Sequence, residues 1–203
     1  MNKQVLGIDH GSKFSSVSIT NLQESKIVSD KMSNSYSASI INFSEKNINA
    51  ICGNFVNKKL LDDPLMTIYD VKRILGKRYD DPFIQKMKDI WPFKIESSQT
   101  GGILICIDKL EKKYQPYEIV GELFKYLSYV GNSALPPNQQ IKDFVIAVSV
   151  TFNDEQRTET LKAAQYAGFN VIKLINEPTA AYIAIKQNEQ QSAPKESLVI
   201  DFG

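Results

Sequence analysis

The sequence predicts an α/β fold: a mixed five-stranded sheet flanked by helices, with a smaller α+β subdomain inserted. Three observations carry that prediction. Up to about Phe55 the chain is a series of short β-rich runs parted by Asn, Ser, Gly and Lys clusters. The last third alternates strand, helix, strand, helix, strand, the pattern of a parallel sheet with crossover helices. Between them lies one strongly amphipathic helical stretch. The division that follows is a core from residues 1–55 and 136–203, with an attached smaller subdomain from 56–135.

Taken in order, "VLGID", "SSVSIT", "SKIVS", "SASIINF" and "NAICGNF" read as an antiparallel meander. "PLMTIYDVKRILG" sets Ile68, Val71, Ile74 and Leu75 on one helical face and stops at Gly76. A strand segment, "GGILICIDKL", follows a loop that carries the lone Trp91. In "PYEIVGELFKYLSYVG" an apolar stripe runs through Ile119, Val120, Leu123, Phe124, Leu127 and Val130, with Pro116 near the start and Gly131 near the end. "DFVIAVSV" is a near-continuous apolar run, expected to be buried on both faces. "NDEQRTETLKAAQYAG" follows as a helix with Asn153 and Gln156 as its capping pair and Gly168 as its stop. Then come the strand "NVIKLI", the helix "EPTAAYIAIKQ" with Pro178 in its first turn, the polar linker "NEQQSAPKE" and the strand "SLVID".

Bulk properties narrow the function. The chain has 203 residues, 42% hydrophobic and 23% charged, enough to bury a sizeable core. A net charge of +1 gives no field that would draw it to nucleic acid or to an anionic membrane, so neither is expected as a direct partner. Cys52 and Cys106 lie far apart with a single histidine in the chain, which is no metal-ligand spacing. They read as buried thiols in a reducing compartment. The N-terminus holds no apolar stretch long enough for a signal peptide or a membrane span, so a cytoplasmic location is expected.

The chemistry lies in an echo between the two ends. In "GIDHG" and "VIDFG" an apolar strand delivers an aspartate to its end, and a glycine two positions later lets the backbone pass close to whatever the aspartate faces. Backbone amides in such a turn can cradle phosphate, and a strand-end aspartate can hold a hydrated magnesium ion. Two such turns could clamp one nucleotide. Singly, either copy is also what an ordinary strand-ending turn looks like.

Other segments agree with the phosphate reading. "VKRILGKRYDDP", "WPF", "TFNDEQR", "AAQYAGFNVIKLINEPTAAYIA" and "VIDFG", in that order and approximate spacing, resemble successive blocks of the heat-shock protein 70 (DnaK-type) chaperone family. The resemblance covers essentially the whole chain, and "INEPTAA" is its most specific block. It implies the actin-like ATPase (ribonuclease H-like) superfold, and the first lobe of a two-lobed nucleotide-binding domain. It also implies that "VIDFG" leads into a second phosphate hairpin, a second lobe and a peptide-binding domain. The chain therefore reads as a piece cut at a lobe boundary.

Carried over residue by residue, the resemblance implies ATP or ADP with magnesium. Asp9 and Asp201 would hold the metal through its water shell, and the turns at Gly11, Ser12, Lys13 and Gly203 would face the phosphates. Lys72 matches the family lysine that reaches toward the γ-phosphate and the attacking water, and Glu177 the carboxylate that orients that water. From the residues alone, Lys72 is a solvated lysine on an amphipathic helix and Glu177 a helix-start acid favoured by the dipole.

Three departures bear on function. Ser12 and Lys13 stand where the family commonly has two threonines, and His10 takes an apolar place, read as a packed histidine with no chemical task. Ser149 replaces a proline linked to interdomain communication, while Arg157 keeps the arginine of that relay. Two functions are therefore expected as alternatives. One is an ATP-driven chaperone that binds unfolded or nascent polypeptide and works with a J-domain cochaperone and a nucleotide exchange factor. The other is a non-cycling relative of the ribosome-associated kind, a scaffold that binds ATP without an efficient cycle. A sugar kinase of the same superfold is disfavoured, because kinases do not share these blocks. The isolated chain is expected to be inactive.

Overall fold

In the computed structural model the described residues are 4–21, 24–43, 50–56, 62–188 and 197–200. Strands β1 (Val5–His10), β2 (Phe14–Thr20) and β3 (Ser25–Ile27) form an antiparallel meander, and the short β4 (Ser37–Ala38) also pairs with β2. The meander was expected to run on to about Phe55, but the chain leaves the sheet after β4. The two-residue strands β5 (Ile41–Asn42), β6 (Ile51–Cys52) and β7 (Thr67–Ile68) make a separate small sheet in the order β6-β5-β7.

Thr67 and Ile68 were expected in a helix. Both are β-branched and pair with β5 instead, and Asp70 takes a left-handed conformation (φ 59°) that a helix cannot pass through. Helix α1 is thereby confined to one turn, Val71–Ile74, although Ile68, Val71, Ile74 and Leu75 are all buried as the apolar pattern requires. Helix α2 (Pro82–Met87) starts on Asp81, whose carboxylate accepts from the Phe83 amide. A second antiparallel sheet follows: β8 (Lys94–Ser97), β9 (Ile103–Ile107) and β10 (Lys112–Tyr114), with β9 in the middle. Trp91 is buried and stacked on Phe93.

Helix α3 (Pro116–Ser133) is the centre of the core. Its capping box closes through Gln115 and Glu118, and Ile119, Val120, Leu123, Phe124 and Leu127 are fully buried against Leu6, Ile8 and Val17. Each such side chain contributes about 1.5–3 kcal/mol through burial. After α3 the chain enters β11 (Asp143–Val148), which is parallel to β1 and pairs Leu6 with Phe144 through to Asp9 with Ala147. The "DFVIAVSV" run does not bury both faces: Phe144, Ile146 and Val148 are buried while the alternate residues are half-exposed, because helices cover only one side closely. Helix α4 (Asp154–Tyr166) has the Asn153–Gln156 capping box and lies on α3 at Gly121, where a Cβ would come within 2.4 Å of the Tyr166 ring.

Strand β12 (Asn170–Asn176) is parallel to β11, with a bulge that leaves Ile172 without a register partner. Helix α5 (Glu177–Asn188) follows at once. The main path of the sheet is thus β12-β11-β1-β2-β3, mixed and five-stranded. "SLVID" does not join it: residues 197–200 are in no strand, and Leu198 and Ile200 are exposed. No described helix is long and apolar enough to cross a membrane.

Candidate functional site

The register of the three parallel strands sets Asp9 beside Ala147 and Ala147 beside Ile175, so their carboxyl ends open on one edge. That is where ligands bind in sheets of parallel strands. Within β1, Leu6, Ile8 and His10 alternate toward the core, which leaves Asp9 exposed on the opposite side.

The turn after β1 is pinned from beneath by Ser39. Its amide donates to the Lys13 carbonyl and its hydroxyl to the Gly11 carbonyl, both at 2.8 Å, and the same hydroxyl lies 2.8 Å from Ser15 Oγ. In a planar trans peptide the carbonyl and the N–H point in opposite directions. With the Gly11 carbonyl turned onto Ser39, the Ser12 amide is turned away from it, as an anion-binding turn needs. Gly11 is required sterically: a Cβ there would lie 2.1 Å from the Phe14 carbonyl oxygen. Lys13 is exposed and Ser12 half-buried.

Lys72 and Glu177, 105 positions apart, meet with Nζ 2.6 Å from Oε1. Their side chains are 12% and 21% exposed, so Lys72 is not the solvated lysine that local pattern suggests, while Glu177 is the helix-start acid expected, the first residue of α5. Arg157 braces both sides of the pair. Its Nε donates to the Phe152 carbonyl at 3.2 Å and its Nη2 to Asn176 Oδ1 at 2.8 Å. Phe152 places its ring 5.9 Å from Lys72 Nζ, and Asn176 directly precedes Glu177. Ser149 is half-buried and close to Thr151, 2.9 Å between hydroxyls.

His10 is packed edge-on against Phe124, and its Nε2 has no hydrogen-bond partner among the described residues. Burial, and secondarily the Lys72 ammonium, push its pKa down to about 3, so the ring is neutral at physiological pH.

The structure thus brings Lys72 to Glu177 at the end of β12, with Asp9, Gly11, Ser12 and Lys13 at the end of β1, two strands along the same edge. Asp201 and Gly203 lie outside the described residues. Sequence reasoning missed Ser39, Phe152 and Asn176; the last two sit within quoted blocks, but no spacing rule marks them.

A family model described as Hsp70 protein matches residues 5–203. The chain belongs to the Hsp70 family. A heat shock protein 70 homolog of Acanthamoeba polyphaga mimivirus is 37% identical over 194 residues, 90% of this chain and 20% of that protein. A heat shock cognate HSP70 protein of Trypanosoma brucei brucei is 30% identical over 201 residues, 98% of this chain and 29% of the relative. A chaperone protein DnaK of Carsonella ruddii is 30% identical over 181 residues, 89% of this chain and 29% of the relative. The Hsp70 chain therefore spans less than a third of these relatives. Its mixed sheet with flanking helices agrees with the actin-like ATPase lobe of that family.

The Hsp70 residues present fit a nucleotide phosphate better than a directly ligated metal. The Gly11–Ser12 peptide offers an outward amide, and Lys72 an ammonium that acts on His10, the residue before that turn. No group of three His, Cys, Asp or Glu able to hold a metal occurs among the described residues. A carboxylate such as Asp9 suits magnesium held through its waters, the usual mode for that ion with phosphates.

Proposed function

We propose that this chain is the first lobe of the ATP-binding domain of a chaperone that couples ATP binding and hydrolysis to the binding of unfolded polypeptide. The observation that carries this reading is the Lys72–Glu177 pair at 2.6 Å, braced by Arg157 beside the carboxyl ends of the parallel strands. The names of the relatives, two heat-shock proteins and a chaperone DnaK, support it.

In this reading the Ser12 amide and hydroxyl bind phosphate, Lys72 stabilises charge at the transferring phosphoryl group, and Glu177 orients the attacking water. Asp9 and Asp201 hold hydrated magnesium, which neutralises phosphate charge when bound. A J-domain cochaperone and a nucleotide exchange factor are the expected partners, and the cytoplasm the expected location. The core of residues 1–55 and 136–203 carries the phosphate side of the site, and residues 56–135 the attached subdomain.

A second reading, a slowly cycling or scaffold relative, is favoured by Lys13 and Ser149. An ammonium that holds bound triphosphate and the transition state equally firmly strengthens binding without accelerating the chemical step. The test is single-turnover ATP hydrolysis by a protein of the relatives' length, with and without a J-domain. Stimulation supports the cycling chaperone. A flat response, together with Lys13→Thr that loses affinity yet hydrolyses faster, establishes the second reading. Equal affinity and rate in Lys13→Thr would leave Lys13 as an exposed side chain that contributes only its backbone. The isolated chain binds magnesium ATP more weakly than about micromolar, roughly -8 kcal/mol; tighter binding by calorimetry would relocate the affinity to this lobe.

A further inference from the structure

Gly76 and Gly168 end their helices in the same way. Each follows the C-cap residue, Leu75 after α1 and Ala167 after α4, and each takes a left-handed conformation, with φ 68° and 80°. Their surroundings differ. A Cβ on Gly168 would meet nothing within 4 Å, whereas one on Gly76 would come 2.6 Å from Gln156 Cα and 2.8 Å from its amide nitrogen. The helix stop accounts for Gly168 in full. Gly76 does more, because it seats the turn after α1 against the backbone of α4.

Gln156 is in no position to yield. Its amide donates to Asn153 Oδ1 at 2.9 Å, its side-chain oxygen accepts from the Asn153 amide at 3.2 Å, and its carbonyl accepts from Thr160 Oγ1 at 2.8 Å. The next residue is Arg157, which binds Asn176 and the Phe152 carbonyl. Consecutive residues in the first turn of α4 thus touch the chain on either side of the ion pair, Gln156 at the turn that ends the helix of Lys72 and Arg157 at the residue before Glu177. A four-residue helix has too few hydrogen bonds to hold Lys72 by itself.

We propose that Gly76 is a positioning residue for Lys72: its missing side chain lets Gln156 lock the turn after α1, so that the first turn of α4 fixes both partners of the pair. That Lys72 acts on a phosphate rests on the proposed function. The positioning does not.

The test compares Gly76→Ala with Gly168→Ala in the intact chain. Both add one methyl group at a left-handed glycine, so backbone strain alone would give them similar losses in thermal stability. The deciding readout is the water-exchange rate of the Lys72 ammonium protons, followed by proton–nitrogen NMR on lysine-labelled protein, with the signal assigned by its loss in Lys72→Met. In Gly76→Ala the displaced turn should raise that rate about tenfold, and Gly168→Ala should leave it unchanged. If Gly76→Ala does not fold, Gln156→Ala and Asn153→Ala carry the comparison. Both open the same capping box, but Gln156 supplies the nearest atoms to Gly76, so Gln156→Ala should speed the exchange more. The proposal is overturned if the two glycine variants leave the exchange unchanged or raise it equally, or if Asn153→Ala speeds it as much as Gln156→Ala. In a protein of the relatives' length, Gly76→Ala should also slow single-turnover ATP hydrolysis more than it weakens ATP binding. Unchanged hydrolysis beside faster ammonium exchange would overturn the role of Lys72 in hydrolysis and leave the positioning established.

Discussion

Leu6, Ile8, Val17, Phe144 and Ile146 are at most 2% exposed on the side of the sheet covered by α3, whereas at the β12 and α5 edge Ile172 is 50% exposed, Ile183 44% and Ile185 56%. Similar apolar residues meet opposite fates in one domain. The α3 side is closed by contacts made within the described chain, and stability resides there. The β12 and α5 edge keeps its apolar side chains exposed among the described residues, and the Lys72–Glu177 pair lies at the start of that edge. Under the proposed function, this edge is the cleft wall that a second lobe would face.

Mutations should separate the two regions sharply. Phe124→Ala removes a fully buried ring packed on His10 and Phe169, and should cost about 3–5 kcal/mol by urea denaturation. A cost below about 1 kcal/mol would mean that the α3 side is not where stability lies. The pH response comes next. His10 has a folded pKa of about 3 against 6.5 when unfolded, so between those values the unfolded chain binds the extra proton. Stability is therefore full above about pH 6.5 and declines as the pH falls toward 3, by about 2 kcal/mol between pH 7 and pH 5. His10→Leu should flatten that part of the profile, and a profile of unchanged slope would assign the dependence to other groups.

At the boundary between the regions the effect is smaller. A double-mutant cycle of Lys72→Met and Glu177→Gln should give a coupling of about 1 kcal/mol, between the values for surface and buried pairs. Zero coupling would mean that the pair is held by its surroundings rather than by mutual attraction. Least of all, Ile183→Ser should change stability by less than about 0.5 kcal/mol, the range for exposed sites. A larger loss would show that the β12 and α5 edge is more closed than its exposure indicates.

Helices α3 and α4 were legible because their signals are local: the stripe from Ile119 to Val130, and a capping box three residues apart at Asn153 and Gln156. The parallel order of β11 and β12 was legible from the intervening helix. The split of the meander was not, because two-residue strands such as β5 carry no periodicity of their own. Nor was the Lys72–Glu177 contact, since a four-residue helix gives too little pattern to say which way Lys72 points, and its partner lies 105 positions away. Ser39 is one serine among many near it; only the folded turn reveals that it holds the Gly11 and Lys13 carbonyls.

The central strand has a consequence for synthesis. β1 finds one neighbour, β2, within a few residues, but its other neighbour is β11, where Leu6 waits for Phe144. At roughly 5–20 residues per second, a chain emerging from the ribosome leaves that side of β1 open for about 7–28 s. An apolar strand edge exposed for that long is a template for pairing with other chains. The nascent protein therefore passes through a window in which it presents the same kind of surface that chaperones exist to shield.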